Sequence, residues 1–118
     1  SMDPLAVSSA GARGLWQIMP GTAGDYGADS LAVHDPQIAT NVAVRYLESL
    51  HRMFDGDWLL ALAAYNSGQG RVQRLVRQYE RANGGTATYW DIRSRLPRET
   101  RDYVPRFLAA IFYAQSGV

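Results

Sequence analysis

The segment Trp58-Leu-Leu-Ala-Leu-Ala-Ala-Tyr65 is the strongest indicator of fold class in this chain of 118 residues. It is apolar on nearly every side of a helix, so the helix that it predicts should be enclosed by other elements at the centre of the fold. Asp57 directly precedes the segment and is expected to cap the helix. The glycine-rich sequence Asn66-Ser-Gly-Gln-Gly70 follows and is expected to end it.

An amphipathic helix is predicted before this buried one, starting at Asp35-Pro36, where a capping carboxylate precedes a proline at the first helical position. Apolar residues then recur at about 100° per residue through residues 38–54 and form one face of the helix. That face comprises Ile38, Val42, Tyr46, Leu47, Leu50, Met53 and Phe54. The opposite face comprises Arg45, Glu48 and Arg52. The sequence Asp55-Gly56-Asp57 is expected to end the helix.

Further helices are predicted after the buried one. A third, amphipathic helix with four Arg on its outer side is marked by Val72, Leu75, Val76 and Tyr79. Residues 82–88 have the composition of a flexible loop. Pro97 is expected to start a fourth helix, and Pro105 to kink or restart it before the apolar run at residues 107–113. The sequence has no strand period and no internal repeat, so the predicted class is all-α.

The composition fits one globular domain over residues 1–118 and narrows its partners. Hydrophobic residues make up 47% of the chain, which is enough for a modest core. Twelve Arg against eleven acidic residues give a net charge of +1, so the chain has no overall basic field for nucleic acid or an acidic glycopolymer. The chain has no Cys, and His34 and His51 lack ligand-like spacing, so no metal or other cofactor is expected. No apolar run approaches the roughly 18 residues of a membrane span, and no signal peptide is visible.

A second distinctive segment is Ala10-Gly-Ala-Arg-Gly-Leu-Trp-Gln-Ile-Met-Pro-Gly-Thr-Ala23, which fits neither a helix nor a strand period. Its glycines permit tight turns or the close approach of a ligand. Gln17 offers a donor and an acceptor among apolar neighbours that include Met19. Such a cradle suits an uncharged ligand rich in hydroxyl and acetamido groups, such as a sugar chain; the alternative for Gln17 is a turn-stabilising role.

With its flanking residues, this segment resembles the signature of the lytic transglycosylase (SLT) domain, a family that is related to goose-type lysozyme and cleaves bacterial peptidoglycan. The matching blocks are residues 6–23, 63–72 and 96–105, in the family's order, and residues 54–58 are similar to its membrane-bound D-type branch. The resemblance implies a lysozyme-like helical fold and a location in the periplasm or cell envelope. It also implies peptidoglycan glycan strands as partner, with cleavage of the MurNAc-β-1,4-GlcNAc bond and formation of a 1,6-anhydroMurNAc end.

The resemblance also implies where the catalytic acid lies. Enzymes of this family use one Glu, which protonates the leaving oxygen and then takes a proton from the sugar's own 6-hydroxyl. Aligning Asp3-Pro4-Leu5-Ala6 with the family pattern places this Glu two positions upstream of Ser1, and the helix that carries it upstream as well. We therefore expect no catalytic residue within residues 1–118 and no activity from the chain alone, whether it is part of a longer polypeptide with further domains or a natural non-catalytic form.

The three Glu residues of the chain are expected to have other roles. Glu48 and Glu80 have Arg neighbours at helical spacing, which predicts solvated ion pairs. Glu99 lies in a block that matches the family. It either stabilises a helix N-terminus through the helix dipole or positions another group of the site.

Six side chains are candidates for substrate binding: Ser8, Gln17, Met19, Tyr65, Asn66 and Tyr103. By resemblance, Ser8 lies near the acetamido site, with a turn role as the alternative. Tyr65 and Asn66 stand where the buried helix meets a glycine-rich break and can face a cleft; by resemblance Tyr65 positions the substrate or the acid, and ordinary helix termination is the alternative. Tyr103 contacts glycan or packs under Pro105.

Three other functions compete with a transglycosylase. The first is a glycan-binding module that keeps the cleft and lacks the acid. The second is lysozyme-type hydrolysis, which would differ in its product rather than in its fold. The third is a helical interaction domain without a glycan site.

Overall fold

The structure is a computed structural model that describes residues 36–115. Within them the chain forms five α-helices and one 3₁₀ turn, and no strand, so the predicted all-α class is confirmed. The elements are α1 (Pro36–Met53), α2 (Trp58–Ser67), α3 (Gln69–Asn83), α4 (Tyr89–Ile92), the 3₁₀ turn Arg93–Arg95 and α5 (Arg98–Gln115).

The chain divides into two compact units, and residues 47–106 form one of them. This unit holds the end of α1, helices α2, α3 and α4, the 3₁₀ turn and the first half of α5. The described residues of the other unit are 36–46 and 107–115. All candidate site residues that the structure describes lie in residues 47–106.

Helix α2 is the buried helix that its apolar sequence predicted. Every residue from Leu60 to Tyr65 is buried, and the two ends of the helix reach the surface, with Trp58 49% exposed and Asn66 and Ser67 half-buried. Asp57 caps the helix as predicted, because its Oδ1 accepts a hydrogen bond of 3.0 Å from the Leu60 N–H. Helix α2 packs against α3, whose Val72 is fully buried.

Helix α1 begins at Pro36, as the Asp35-Pro36 pair predicted; Asp35 itself lies outside the described residues. Of the predicted apolar face, Val42, Leu50 and Phe54 are buried and Tyr46 and Leu47 are half-buried. Ile38 and Met53, at the two ends of the helix, are exposed, contrary to the prediction. The predicted polar face is exposed; it comprises Arg45, Glu48 and Arg52. The prediction that α1 is amphipathic is therefore confirmed. The helix ends at Met53, one residue before the predicted end at Phe54.

Helix α1 ends in a Schellman motif built on an aspartate. The Gly56 N–H donates to the His51 carbonyl at 2.9 Å, and the Asp55 N–H donates to the Arg52 carbonyl at 3.2 Å. These two bonds satisfy carbonyls that the helix end leaves without partners. Asp55 has a φ of +55°, a left-handed conformation that glycine adopts more easily than any other residue.

Replacing Asp55 with Gly should stabilise the fold, because the left-handed conformation costs glycine no Cβ clash. We expect the free energy of unfolding to rise by about 0.5–1 kcal/mol in urea denaturation. The control is Arg52→Gly, three residues earlier in helical conformation, which should lower the free energy of unfolding by roughly 0.5–1 kcal/mol. A loss of stability in both variants would contradict a strained turn at Asp55.

The break between α2 and α3 is narrower than predicted. The sequence predicted an interruption over residues 66–70, yet α2 continues through Ser67 and α3 begins at Gln69. Ser67 fits the last turn of α2 because its Oγ donates to the Ala63 carbonyl at 2.8 Å. Gly68 alone reverses the chain, with a φ of +98°, and its N–H donates to the Ala64 carbonyl at 2.8 Å.

Helix α3 has the predicted amphipathic pattern. Its inner side comprises the buried Val72 and the half-buried Leu75, Val76 and Tyr79. Its outer side comprises the exposed Arg71, Arg74, Arg77 and Arg81. The helix runs on to Asn83, so the loop predicted over residues 82–88 is shortened to residues 84–88.

Helix α5 begins directly after Pro97, as predicted, and the Pro97 carbonyl accepts a bond of 3.0 Å from the Arg101 N–H. The prediction of a restart at Pro105 is wrong, because the helix runs through this residue to Gln115. A proline removes one helical donor, but the buried face of α5 continues on both sides of it. That face comprises Thr100, Tyr103, Val104 and Phe107.

Candidate functional site

The structure describes three of the six substrate-binding candidates. Ser8, Gln17 and Met19 lie outside residues 36–115, so their roles stay predictions. The other three candidates, Tyr65, Asn66 and Tyr103, all lie within residues 47–106.

Tyr65 and Asn66 occupy the last turns of the buried helix. Tyr65 is 7% exposed, whereas Asn66 is half-buried. The burial gradient arises because α2 leaves the core here and Gly68 turns the chain two residues later. A firmly packed phenol thus stands beside an amide that reaches the surface, and an amide can both donate to and accept from a neutral ligand.

Tyr103 lies on the buried face of α5, in the second turn, and is 7% exposed. Burial raises the pKa of its phenol, so the side chain stays neutral and keeps its O–H donor throughout the physiological pH range. Such deep burial leaves only a small part of the ring for a ligand, which favours the packing role. Its contact with glycan stays a prediction.

Glu99 lies in the first turn of α5 and is exposed. This is the position at which a carboxylate interacts favourably with the helix dipole, so the structure supplies the geometry of that simpler alternative. A catalytic acid of the lysozyme type is instead enclosed by apolar walls. Glu99 is one helical turn before Tyr103, and its effect on other site groups stays a prediction.

Glu80 has a role that its Arg neighbours did not indicate. Its Oε2 accepts a hydrogen bond of 2.9 Å from the N–H of Ala87, a residue that is 4% exposed. The loop of residues 84–88 has the glycine content of a flexible segment, but this bond fixes its far end against α3. The contact joins residues seven positions apart across an irregular loop, so helical spacing could not predict it.

Helix α4 was not predicted, although the sequence contains a signal for it. Thr88 and Asp91 form a capping box: the Asp91 Oδ2 accepts from the Thr88 N–H at 2.8 Å and from the Thr88 hydroxyl at 3.0 Å. The spacing Thr-x-x-Asp is the sequence signature of such a box. The Tyr79 phenol also bonds to Asp91, so this carboxylate links α3 to α4.

These hydrogen bonds shift the pKa values of Asp91 and Tyr79 in opposite directions. The Thr88 N–H contributes most to lowering the pKa of Asp91; burial opposes it, and the Thr88 hydroxyl and the Tyr79 phenol lower the pKa further by smaller amounts. The pKa of Tyr79 is raised, chiefly by its hydrogen bond to Asp91 and then by the negative charge of that carboxylate. Asp91 is therefore a structural carboxylate of the α3–α4 junction.

Stability should consequently depend on Asp91 in acid. Its pKa is lower in the folded than in the unfolded chain, so its contribution is present above about pH 4, the usual range for Asp, and is lost as the pH falls through the folded value. We expect Asp91→Asn to be less stable than the parent chain at pH 7, with the difference shrinking toward pH 3. The measurement is urea denaturation across this range, with the exposed Asp102→Asn as control; a difference that is constant with pH would contradict it.

Two tryptophans reach the surface, which the sequence did not indicate. Trp58 stacks on His51 with ring centroids 3.8 Å apart and planes at 20°. Trp90 is 69% exposed and meets the ring of Tyr89 edge-on at 5.2 Å.

Among residues 36–115, no group of three or more His, Asp or Glu side chains is arranged to hold a metal ion, and no helix of that part of the chain is long and apolar enough to cross a membrane.

Comparison with known proteins adds the following findings. The family model of the transglycosylase SLT domain matches residues 1–87. Membrane-bound lytic murein transglycosylase D of Escherichia coli (strain K12) is 42% identical over 113 residues, which make up 92% of this chain and 24% of that protein. Soluble lytic murein transglycosylase of Salmonella typhimurium is 33% identical over 120 residues, covering 91% of this chain and 17% of that protein. The chain thus spans about a quarter or less of the length of these curated relatives.

Proposed function

Because this chain belongs to the transglycosylase SLT domain family, we propose that it forms the substrate-binding part of a peptidoglycan lytic transglycosylase. The bond cleaved is MurNAc-β-1,4-GlcNAc, and the product carries a 1,6-anhydroMurNAc end. The observation that carries the proposal is the family match over residues 1–87, which includes both the segment at residues 10–23 and the end of α2. The family resemblance predicted from the sequence is thereby confirmed.

The end of α2 supports binding of a neutral glycan. Tyr65 is held in the core, and the amide of Asn66 lies beside it at the surface. A glycan strand offers hydroxyl and acetamido groups, and neutral donors and acceptors over apolar walls are what such a ligand requires. We propose that Gln17 and Ser8 contribute further polar contacts and Met19 an apolar one.

The acid of the reaction is proposed to come from a Glu upstream of Ser1. It protonates the leaving oxygen as the bond from the anomeric carbon breaks, and its carboxylate then takes the proton of the 6-hydroxyl. The oxygen of that hydroxyl forms the new bond to the anomeric carbon, so no water is consumed. The described Glu side chains offer no substitute, since Glu48 and Glu99 are exposed and Glu80 holds the Ala87 N–H.

We also propose that the chain acts in the cell envelope, where its substrate lies, as part of a longer protein. Two relatives support this by name: one is a membrane-bound and one a soluble lytic murein transglycosylase. A binding module without the acid would share this location. The two functions are separated by the residue that precedes Ser1 by two positions: Glu supports the enzyme, and Gln, Ala or a linker residue supports the binding module.

Gln17→Ala should weaken binding of a chitooligosaccharide by about 5- to 150-fold, because loss of one buried hydrogen-bond partner costs about 1–3 kcal/mol. Tyr65→Phe should have a smaller effect. Calorimetric titration measures both, and circular dichroism checks that the variants fold.

Glu48→Gln is the control for this titration and should bind like the parent chain, because Glu48 lies on the exposed side of α1. The affinity for this uncharged ligand should change little with salt. Absence of saturable binding at every salt concentration would contradict a sugar cleft and favour a helical interaction domain.

A further inference from the structure

The outer side of α3 is rich in positive charge. Its four exposed arginines, which we call the α3 arginine face, are Arg71, Arg74, Arg77 and Arg81. They follow one another at intervals of three, three and four residues, so they lie along one side of the helix over about 15 Å. This side is opposite the buried Val72.

The charge of α3 contrasts with that of the rest of the chain. Four Arg and one Glu give the helix a net charge of +3, whereas the whole chain carries +1, so the remainder is net negative by two. The single acidic residue of the helix, Glu80, has its carboxylate bonded to the Ala87 N–H of the following loop. Like charges three and four positions apart destabilise a helix, so this arrangement is unfavourable for α3 by itself.

A ligand with several oxyanions would relieve this repulsion. Arginine is suited to that ligand, because its planar guanidinium binds a carboxylate or a phosphate through two parallel hydrogen bonds. The side of the helix that bears the four arginines otherwise holds only Gly70 and Gln78, with no apolar residue to insert into a lipid surface. A hydrated polyanion therefore fits this face better than a membrane.

We propose that the α3 arginine face binds the free carboxylates of the peptide stems of peptidoglycan. The proposal rests on the proposed function, which makes stem-bearing glycan the bound polymer. Recognition of peptidoglycan then has two parts: neutral amide and phenol groups bind the sugar chain, and the arginines bind the peptides attached to it. Binding to stem-bearing peptidoglycan should then weaken with salt, whereas binding to an uncharged oligosaccharide should not.

The test compares two variants of the 118-residue chain that lose the same charge. One replaces all four residues of the α3 arginine face with Gln; the other replaces four exposed arginines elsewhere with Gln, namely Arg52, Arg93, Arg95 and Arg98. Gln and Arg have similar helix propensity, and circular dichroism checks folding. At low salt the first variant should bind soluble stem-bearing glycan strands about 5- to 30-fold more weakly than the parent chain, and the second should bind within about twofold of it.

Three further ligands separate the possible outcomes. With chitooligosaccharide, or with strands whose stem carboxylates are amidated, the first variant and the parent chain should bind equally. Equal losses in both variants would overturn the proposal, as would a loss confined to phosphatidylglycerol vesicles. If the parent chain bound stem-bearing strands through the arginines but did not bind chitooligosaccharide, the sugar cleft would fail while the carboxylate site stood.

Discussion

The 118-residue chain is expected to release no 1,6-anhydro muropeptides from purified peptidoglycan. A longer protein that carries the proposed upstream Glu should release them at least about 100-fold faster. A positioned general acid contributes roughly 10²- to 10⁴-fold to such a reaction. Glu48 and Glu99 are exposed, and Glu80 is engaged by a backbone N–H. None of the three is enclosed in the apolar surroundings that such an acid requires.

Liquid chromatography with mass spectrometry of the soluble products measures this result. The matched control is the extended protein with Gln in place of the upstream Glu, which should be as inactive as the 118-residue chain although it folds and binds glycan. Anhydro products from the shorter chain that disappear in Glu99→Gln would place the acid at Glu99 instead. Reducing ends without the anhydro form would indicate hydrolysis.

Leu62→Ala should cause a large loss of stability. Leu62 is 2% exposed, in the middle of the only run of six consecutive buried residues in residues 36–115. Truncating a buried Leu leaves a cavity and costs about 2–5 kcal/mol. Domains of ordinary stability have about 5–15 kcal/mol in total, so this one substitution should remove a large share of the free energy of unfolding.

Urea denaturation followed by circular dichroism gives the free energy of unfolding of this variant. The same substitution at Leu108, which is 43% exposed, should cost less than about 1 kcal/mol. Similar losses at the two leucines would contradict a core centred on α2.

The elements that could be predicted are those specified by contiguous sequence. The uniform apolarity of α2 predicted its burial, because the pattern is contained in one continuous stretch of sequence. The cap at Asp57 could be predicted because it depends only on the residues of the first helical turn. The four-residue helix α4 is too short to show a period, so only its capping pair, Thr88 and Asp91, could have predicted it. The continuation of α5 through Pro105 depends on burial of its inner face, which local propensity does not express.

The positions of the candidate site residues could be predicted in part. Tyr65 was predicted in the buried helix and lies in it, whereas Asn66 was predicted in the break after the helix and lies in its last turn. The bond from Ala87 to Glu80 could not be predicted, because it depends on the path of the intervening loop. The Arg neighbours of Glu80 predicted a solvated ion pair, whereas in the structure its carboxylate accepts a hydrogen bond from the Ala87 N–H.

Gly68 is the only residue between α2 and α3, so its backbone conformation determines the direction in which α3 leaves α2. A residue added between α2 and α3 would change the direction in which α3 leaves the junction, and the burial of Val72 depends on that direction. Space does not restrict the residue at this junction, since a Cβ built on Gly68 meets no atom within 4 Å, but its φ of +98° does. Its ψ of 138° lies far from the left-handed helical region that Asn tolerates, in a part of the backbone map that favours glycine alone. Gly68→Asn and Gly68→Val should therefore both be strained.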